Sequence, residues 1–251
     1  MSDSKVSAPT TDFGFRRVPV AAKRGLVRQV FDSVAPRYDV MNDLMSLGVH
    51  RAWKRILLTE LGPRPSRRLL DLASGTGDIG LAWQSAGGGP VLLSDVNPAM
   101  LSIARDRGIA RGLVAGLDLV VADAERLPLP ARVFDRVSIG FGLRNCTNKP
   151  AVLAEARRVL RPGGRFFCLE FSRPQVAVLD PAYERWLFQV LPRLGALVAG
   201  DADSYRYLAE SIRTFPDQAA LADMMKAAGF ERVQVRNLSG GIVAIHSGWR
   251  L

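Results

Sequence analysis

Apolar positions recur at helical spacing from Lys23 onward. Val27, Val30, Phe31 and Val34 fall at i, i+3, i+4 and i+7, and Trp53, Ile56, Leu57 and Leu61 continue the pattern further along. Pro36 stops the first run and Gly62-Pro63 the second, so this stretch predicts helices followed by a linker over 62–66. From residue 68 the texture changes. Short apolar runs predict strands over 68–73, 91–95, 117–122, 133–139 and 165–171, alternating with helices over 79–85, 98–108 and 149–160. Strands separated by helices make a parallel sheet covered on both faces. The alternation breaks over 172–215, a leucine- and aromatic-rich segment with no strand pattern. A helix over 217–228 follows, then strands over 232–237 and 242–247, joined across Ser239-Gly240-Gly241 as a hairpin.

The chain has 251 residues, 48% apolar and 23% charged, which fits one large globular domain and excludes a fibrous repeat or a disulfide mini-protein. Residues 1–12 are small and polar and read as a disordered tail. Residues 13–251 read as one domain: a helical cap (13–62), a core (67–172), a helical insertion on the substrate side (173–215), and a closing helix and hairpin (216–251). Two cysteines form no disulfide framework, the N-terminus has no apolar leader, and no run approaches the ~20 apolar residues of a membrane span. A cytoplasmic protein is expected. The two cysteines and two histidines lack metal-ligand spacing, so no metal is expected. The net charge is +10, and residues 1–68 alone hold 13 basic against 6 acidic side chains. That excess either attracts phosphate, on nucleic acid or lipid, or reflects a generally arginine-rich surface.

Asp71-Leu72-Ala73-Ser74-Gly75-Thr76-Gly77-Asp78 lies between a predicted strand and a helix. Glycines there let backbone approach a ligand at the carboxyl edge of a parallel sheet. Gly75, Gly77 and Gly80 fit the dinucleotide fingerprint, and Asp95 ends the next strand where an acid can grip a ribose diol. A nicotinamide oxidoreductase is therefore one reading. Three features favour S-adenosylmethionine instead: Asp71 before the glycines, Asp123 after the third strand, and the closing hairpin. Alternatively, Asp71 and Asp123 merely cap loops.

The glycine loop, the two acids and the hairpin together resemble the class I methyltransferases. That resemblance implies a Rossmann-like α/β fold with a seven-stranded, mostly parallel sheet, a terminal antiparallel hairpin and helices on both faces. More specific stretches surround this core. Phe31-Asp32-Ser33-Val34-Ala35-Pro36-Arg37-Tyr38-Asp39-Val40-Met41-Asn42-Asp43-Leu44-Met45-Ser46, His50-Arg51-Ala52-Trp53-Lys54-Arg55, Phe141-Gly142-Leu143-Arg144-Asn145, Leu191-Pro192-Arg193 and Asp201-Ala202-Asp203-Ser204-Tyr205-Arg206-Tyr207-Leu208 resemble the ubiquinone/menaquinone C-methyltransferase family. The resemblance runs from about Phe13 to the C-terminus.

The resemblance implies methyl transfer from S-adenosylmethionine to a ring carbon of a polyprenylated quinol, either 2-polyprenyl-6-methoxy-1,4-benzoquinol, demethylmenaquinol or both. It implies cofactor contacts from Thr76, Asp95, Asp123 and Ala124, with Asp71, Gly75, Gly77 and Val96 completing the expected site. Gly140 stands where related sequences often carry Ser, so only a backbone contact is expected there. A ring carbon becomes nucleophilic when its neighbouring hydroxyl ionises, and a phenol titrates near 10, so the site must favour the anion. Arg144 is the expected source of positive charge, with a water held by Arg144 and Asn145 carrying the proton; the alternative is that Arg144 pairs with a carboxylate and holds a loop. His50 is left uncommitted as a base, and Cys146 is expected to be a packing residue. The stretch Gly140-Phe141-Gly142-Leu143 lacks the Asn/Asp-Pro-Pro-aromatic signature of amino-methylating enzymes, so no nucleic-acid substrate is expected. The insertion and the basic N-terminus leave room for a peripheral contact with an anionic membrane at the inner face of the plasma membrane. Assembly into a quinone-biosynthesis complex or a homo-oligomer stays open.

Overall fold

The computed structural model describes residues 9–34, 38–176, 178–199 and 201–251. Its first elements are two short strands, β1 (Thr10–Phe13) and β2 (Arg16–Pro19), paired antiparallel with Phe13 opposite Arg16. Residues 10–12 were expected in the disordered tail, and this hairpin corrects that expectation. Four residues are too few to show periodicity, and what orders them is distant in sequence: Phe13 stacks on Tyr207 with ring centroids 4.2 Å apart. Residues 1–8 of the expected tail lie outside the described residues.

Three helices follow: α1 (Val20–Val34), α2 (Tyr38–Ser46) and α3 (His50–Leu61). The expected stop at Pro36 lies outside the described residues. Leu47 (φ 51°) and Gly48 (φ 77°) separate α2 from α3, and Gly62 (φ 61°) ends α3 by donating its N–H to the Leu58 carbonyl.

The core alternates strand and helix as expected: β3 (Leu69–Leu72), α4 (Asp78–Ser85), β4 (Val91–Asp95), α5 (Pro98–Ala110), β5 (Leu117–Val121), β6 (Phe134–Gly140), α6 (Lys149–Val159) and β7 (Leu160–Phe171). β7 starts earlier than the apolar run at 165 suggested. Leu160 already pairs with Phe134, and the strand passes through a register irregularity before Arg165 meets Arg136.

The insertion is helical. α7 (Leu179–Arg185) continues through a wider π turn over Trp186–Val190 into α8 (Leu191–Ala199). Pro192, at the second position of α8, brings no N–H to the helix there. α9 (Ala202–Thr214) is capped by Asp201, and α10 (Gln218–Ala227) by Asp217, each carboxylate accepting a backbone N–H at 2.9 Å. The hairpin β8 (Glu231–Leu238) and β9 (Val243–Arg250) closes the chain.

The main sheet runs β5-β4-β3-β6-β7-β9-β8. Its first five strands are parallel, and β9 lies antiparallel between β7 and β8. This is the class I methyltransferase architecture the sequence implied. Side chains alternate across it: Leu69 packs with α3, α4 and α5 on one face, while Leu70 and Leu72 pack with α6 and α10 on the other. The strand order reverses at β3, where neighbours β4 and β6 continue in opposite directions, so a crevice opens beyond the carboxyl ends of these strands.

Candidate active site

A cleft of about 860 Å³ occupies that crevice. Its floor is the loop after β3. Ala73 (φ 46°), Gly75 (φ 54°) and Gly77 (φ 83°) hold left-handed conformations that fold the chain back tightly. A side chain on Gly77 would also press on Ala104 and Leu93, which keeps α4 close against the sheet.

Asp95, at the end of β4, anchors this loop. Its Oδ2 accepts the Gly75 N–H at 2.8 Å, and its Oδ1 accepts the Asn97 N–H at 2.9 Å. Burial raises its pKa, and the backbone donors work against that rise. Asn97 caps α5, accepting from Ala99 and Met100, and donates through Nδ2 to Asp32 on α1 at 2.7 Å. Asp123 lines the cleft beyond β5; its Oδ1 accepts the Glu125 N–H at 2.9 Å, and its other oxygen meets Arg24 of α1. Val96, Met100, Ala122 and Ala124 supply apolar walls, and α1 covers the mouth with Arg24, Val27, Arg28 and Phe31.

Of the expected cofactor residues, Gly75, Asp95, Val96, Asp123 and Ala124 line this cleft together. The other four stand behind it. Asp71 is fully buried under the loop, accepting from Ser138 Oγ at 2.7 Å and from the Gly80 N–H at 3.2 Å, and burial pushes its pKa up to about 7. Thr76 accepts from Arg107 at 3.0 Å, and Arg107 also reaches Asp78, which in turn holds Lys54 at 2.6 Å. Gly77 starts α4, and Gly140 lies against Ile79, where a side chain would collide.

Arg144 lies behind the cleft as well. Its side chain is 3% exposed and forms an ion pair with the buried Glu170 at 3.0 Å, while its backbone N–H also donates to Glu170. The carboxylate pairing weighed from sequence is the arrangement found. Asn145 does line the cleft, and its Oδ1 accepts from the Tyr207 hydroxyl at 3.2 Å. Cys146 lines it too, with a thiol that burial pushes up to about 12 and so keeps unreactive. His50 faces Ser46 Oγ at 2.9 Å, away from the cleft, and burial lowers its pKa.

Sequence reasoning missed the α1 wall. Val27 and Phe31 carry an ordinary helical core pattern, so nothing local marks them as a roof; the excess positive charge of residues 1–68 was the available signal.

Acceptors at two strand ends, an apolar slot between them and a tight backbone floor suit an adenosine: a ribose diol at Asp95, an adenine amino group at Asp123, and the ring between Val96, Met100 and Ala124. Comparison with known proteins agrees. The model of the ubiE/COQ5 methyltransferase family matches residues 19–250. The ubiquinone/menaquinone biosynthesis C-methyltransferase UbiE of Acidiphilium cryptum is 66% identical over 245 residues, spanning 98% of each chain. Among solved structures, an S-adenosylmethionine-dependent methyltransferase of Thermotoga maritima, titled a possible histamine N-methyltransferase, superposes with TM-score 0.64 at 19% identity, covering 90% of this chain and 100% of that one. The phosphoethanolamine N-methyltransferase 2 of Haemonchus contortus, solved with S-adenosyl-L-methionine, gives TM-score 0.57 at 18% identity, covering 75% of this chain and 39% of that one.

Proposed function

The chain belongs to the ubiE/COQ5 methyltransferase family and is an S-adenosylmethionine-dependent methyltransferase; from that premise we propose that its acceptor is a ring carbon of a polyprenylated quinol. The observation that carries this reading is full-length identity of 66% to a protein named for that chemistry. S-adenosylmethionine supplies an electrophilic methyl group. Asp95, Val96, Asp123 and Ala124 hold it, with Gly75 shaping the floor. Asp71, Thr76, Gly77 and Gly140 keep the loop and β6 in place without touching the ligand.

Arg144 and Asn145 work as a unit on one turn. With Glu170 matching its charge, Arg144 is a positioning residue that fixes the turn, and Asn145 faces the acceptor. The oxidoreductase reading loses its support because family and glycine loop agree on S-adenosylmethionine, and the nucleic-acid reading because the relative is named for quinone biosynthesis.

Among the described residues, no helix is long and apolar enough to cross a membrane. Leu187, Leu191 and Tyr205 of the insertion are buried, so that segment mainly completes the core. Leu47 and Leu197 remain 71% and 83% exposed on α2's end and on α8, which packs against α2. These exposed leucines, with Arg51 and Arg193 each four residues away in the sequence, support a peripheral contact with an anionic membrane.

The test is a quinone profile of cells lacking the protein. Accumulation of a demethylated quinone, reversed by the intact chain but not by Asp95→Ala, is the expected result. An unchanged profile removes the quinol assignment. Co-sedimentation with anionic vesicles, weakened by Leu47→Glu and Leu197→Glu together, tests the membrane edge.

A further inference from the structure

The chain holds 29 arginines and only 5 lysines, yet two of those lysines line one cavity. This second space, of about 320 Å³, lies among β1, α1, α6 and α9. Its walls include Asp12, Lys23, Arg144, Lys149 and Tyr207. Lys23 is 3% exposed. The Nζ atoms of Lys23 and Lys149 each donate to the Cys146 carbonyl at 3.3 Å. Among the described residues, no carboxylate lies within 4.0 Å of either ammonium.

A buried and a half-buried cation converging on one neutral carbonyl is a costly arrangement. The cost falls if one amine is neutral, or if an anion sits between the two. Arginine could provide the second but never the first, because a guanidinium does not give up its proton in a protein. Burial, with the Lys149 charge adding to it, pushes the Lys23 ammonium down to about 8, against the opposing influence of Cys146, Asp12 and Glu125. Lys149 is lowered by burial as well. Arg144 is committed to Glu170. Burial raises the Tyr207 hydroxyl, which therefore stays a protonated donor. Lys23 is thus the group here that can exchange a proton near neutrality.

The cavity backs directly onto the cofactor cleft. Asn145, Cys146 and Thr147 face the cleft, while their neighbours Arg144 and Lys149 face the cavity. Likewise α1 turns Lys23 to the cavity and Arg24 and Val27 to the cleft.

We propose that this cavity receives the acidic hydroxyl of the methyl acceptor, that neutral Lys23 takes its proton, and that the oxygen anion rests between Lys23 and Lys149. The acceptor's O–H bond breaks with its electron pair staying on oxygen, a new N–H bond forms on Lys23 Nζ, and Lys23 later returns the proton to water. The choice of a ring hydroxyl rests on the quinol reading above.

The experiment uses 4-nitrophenol, whose ionisation is visible by absorbance, titrated with and without saturating protein. Bound nitrophenol is expected to ionise at a pH about one unit lower, since one opposite charge nearby shifts a pKa by that much or more. Lys23→Met and Lys149→Met should each remove most of this shift, while Lys23→Arg keeps the charge and keeps it. With a quinol acceptor, Lys23→Arg should lower kcat about 100-fold and abolish the acid limb of the kcat–pH profile, the range expected for a lost general base. S-adenosylmethionine affinity, measured on every variant, should stay within about twofold, the size of an uncoupled site. A nitrophenol shift that survives both Met variants overturns the proposal, as does a Lys23→Arg enzyme with wild-type turnover and pH profile. A lysine-dependent shift in a protein that methylates no quinol supports the cavity and overturns the quinol reading instead.

Discussion

The cofactor cleft draws its carboxylates from the ends of consecutive parallel strands, whereas the cavity behind it collects its cations from α1, α6 and the turn at Leu143–Asn145. Asp95 and Asp123 accept hydrogen bonds where a ligand's hydroxyl and amino groups would lie. Lys23 and Lys149 donate where an anion would lie. The two spaces meet along residues 144–149, whose side chains turn to one or the other, so an acidic site and a basic one adjoin. Opposite electrostatics suit the two partners of a methyl transfer, because a cationic donor and an ionising acceptor need opposite surroundings. The supports differ too. The cleft's loop is fixed by local hydrogen bonds within the β3 to β5 segment, while the cavity closes only when the N-terminal hairpin stacks on α9 through Phe13 and Tyr207.

Breaking this boundary should have the largest effect. Arg144→Ala leaves Glu170 buried without its partner, and should cost about 3–5 kcal/mol of stability together with most of the turnover. Arg144→Met combined with Glu170→Gln should recover part of the melting temperature but not the activity. If the double variant regains full turnover, the boundary does not position Asn145.

Asp71, beneath the cleft, should produce a dependence of stability on pH in a lower range than the one Lys23 imposes from the cavity. Its folded pKa of about 7 lies above the unfolded value of 3.8, so the folded chain holds the proton more tightly. This contribution is complete below pH ~4 and is lost as pH rises through about 7, roughly 4 kcal/mol at ~1.4 kcal/mol per unit. Thermal melts across that range should show the loss in the wild type and a flatter profile in Asp71→Asn.

Asp95→Ala tests the cleft alone. It removes a buried acceptor that also ties down Gly75 and Asn97, and should weaken S-adenosylmethionine binding about 100-fold by calorimetry, close to 3 kcal/mol. The nitrophenol shift in the cavity should survive this change. Loss of both at once would show that the two sites are not separable.

The smallest effect is expected at the roof. Arg24 is largely exposed, so Arg24→Ala should change stability by less than about 1 kcal/mol. Its removal frees Asp123, and a change of a few-fold in cofactor affinity, in either direction, would sharpen the role of α1.

Much of the cleft could be read from the chain because each of its residues follows a strand directly. Gly75, Asp95 and Asp123 belong to local motifs whose position at a sheet edge follows from the alternation of strand and helix. Arg144 was legible as a residue but not as a partner, since Glu170 lies 26 positions away on β7 and reads as one charge in an apolar strand. β1 was missed because its order comes from Tyr207, not from its own four residues. Val27 and Phe31 were seen as core and found as roof.

By itself, then, the sequence determined the sheet, its closing hairpin, the glycine loop and the family, because these depend on periodicity and on short spacings. Tertiary structure decided which charges meet. It gave Glu170 to Arg144, and it left Lys23 and Lys149 sharing one carbonyl. The physical reason is that pairing and desolvation depend on distances between chain segments, and no local pattern records those distances.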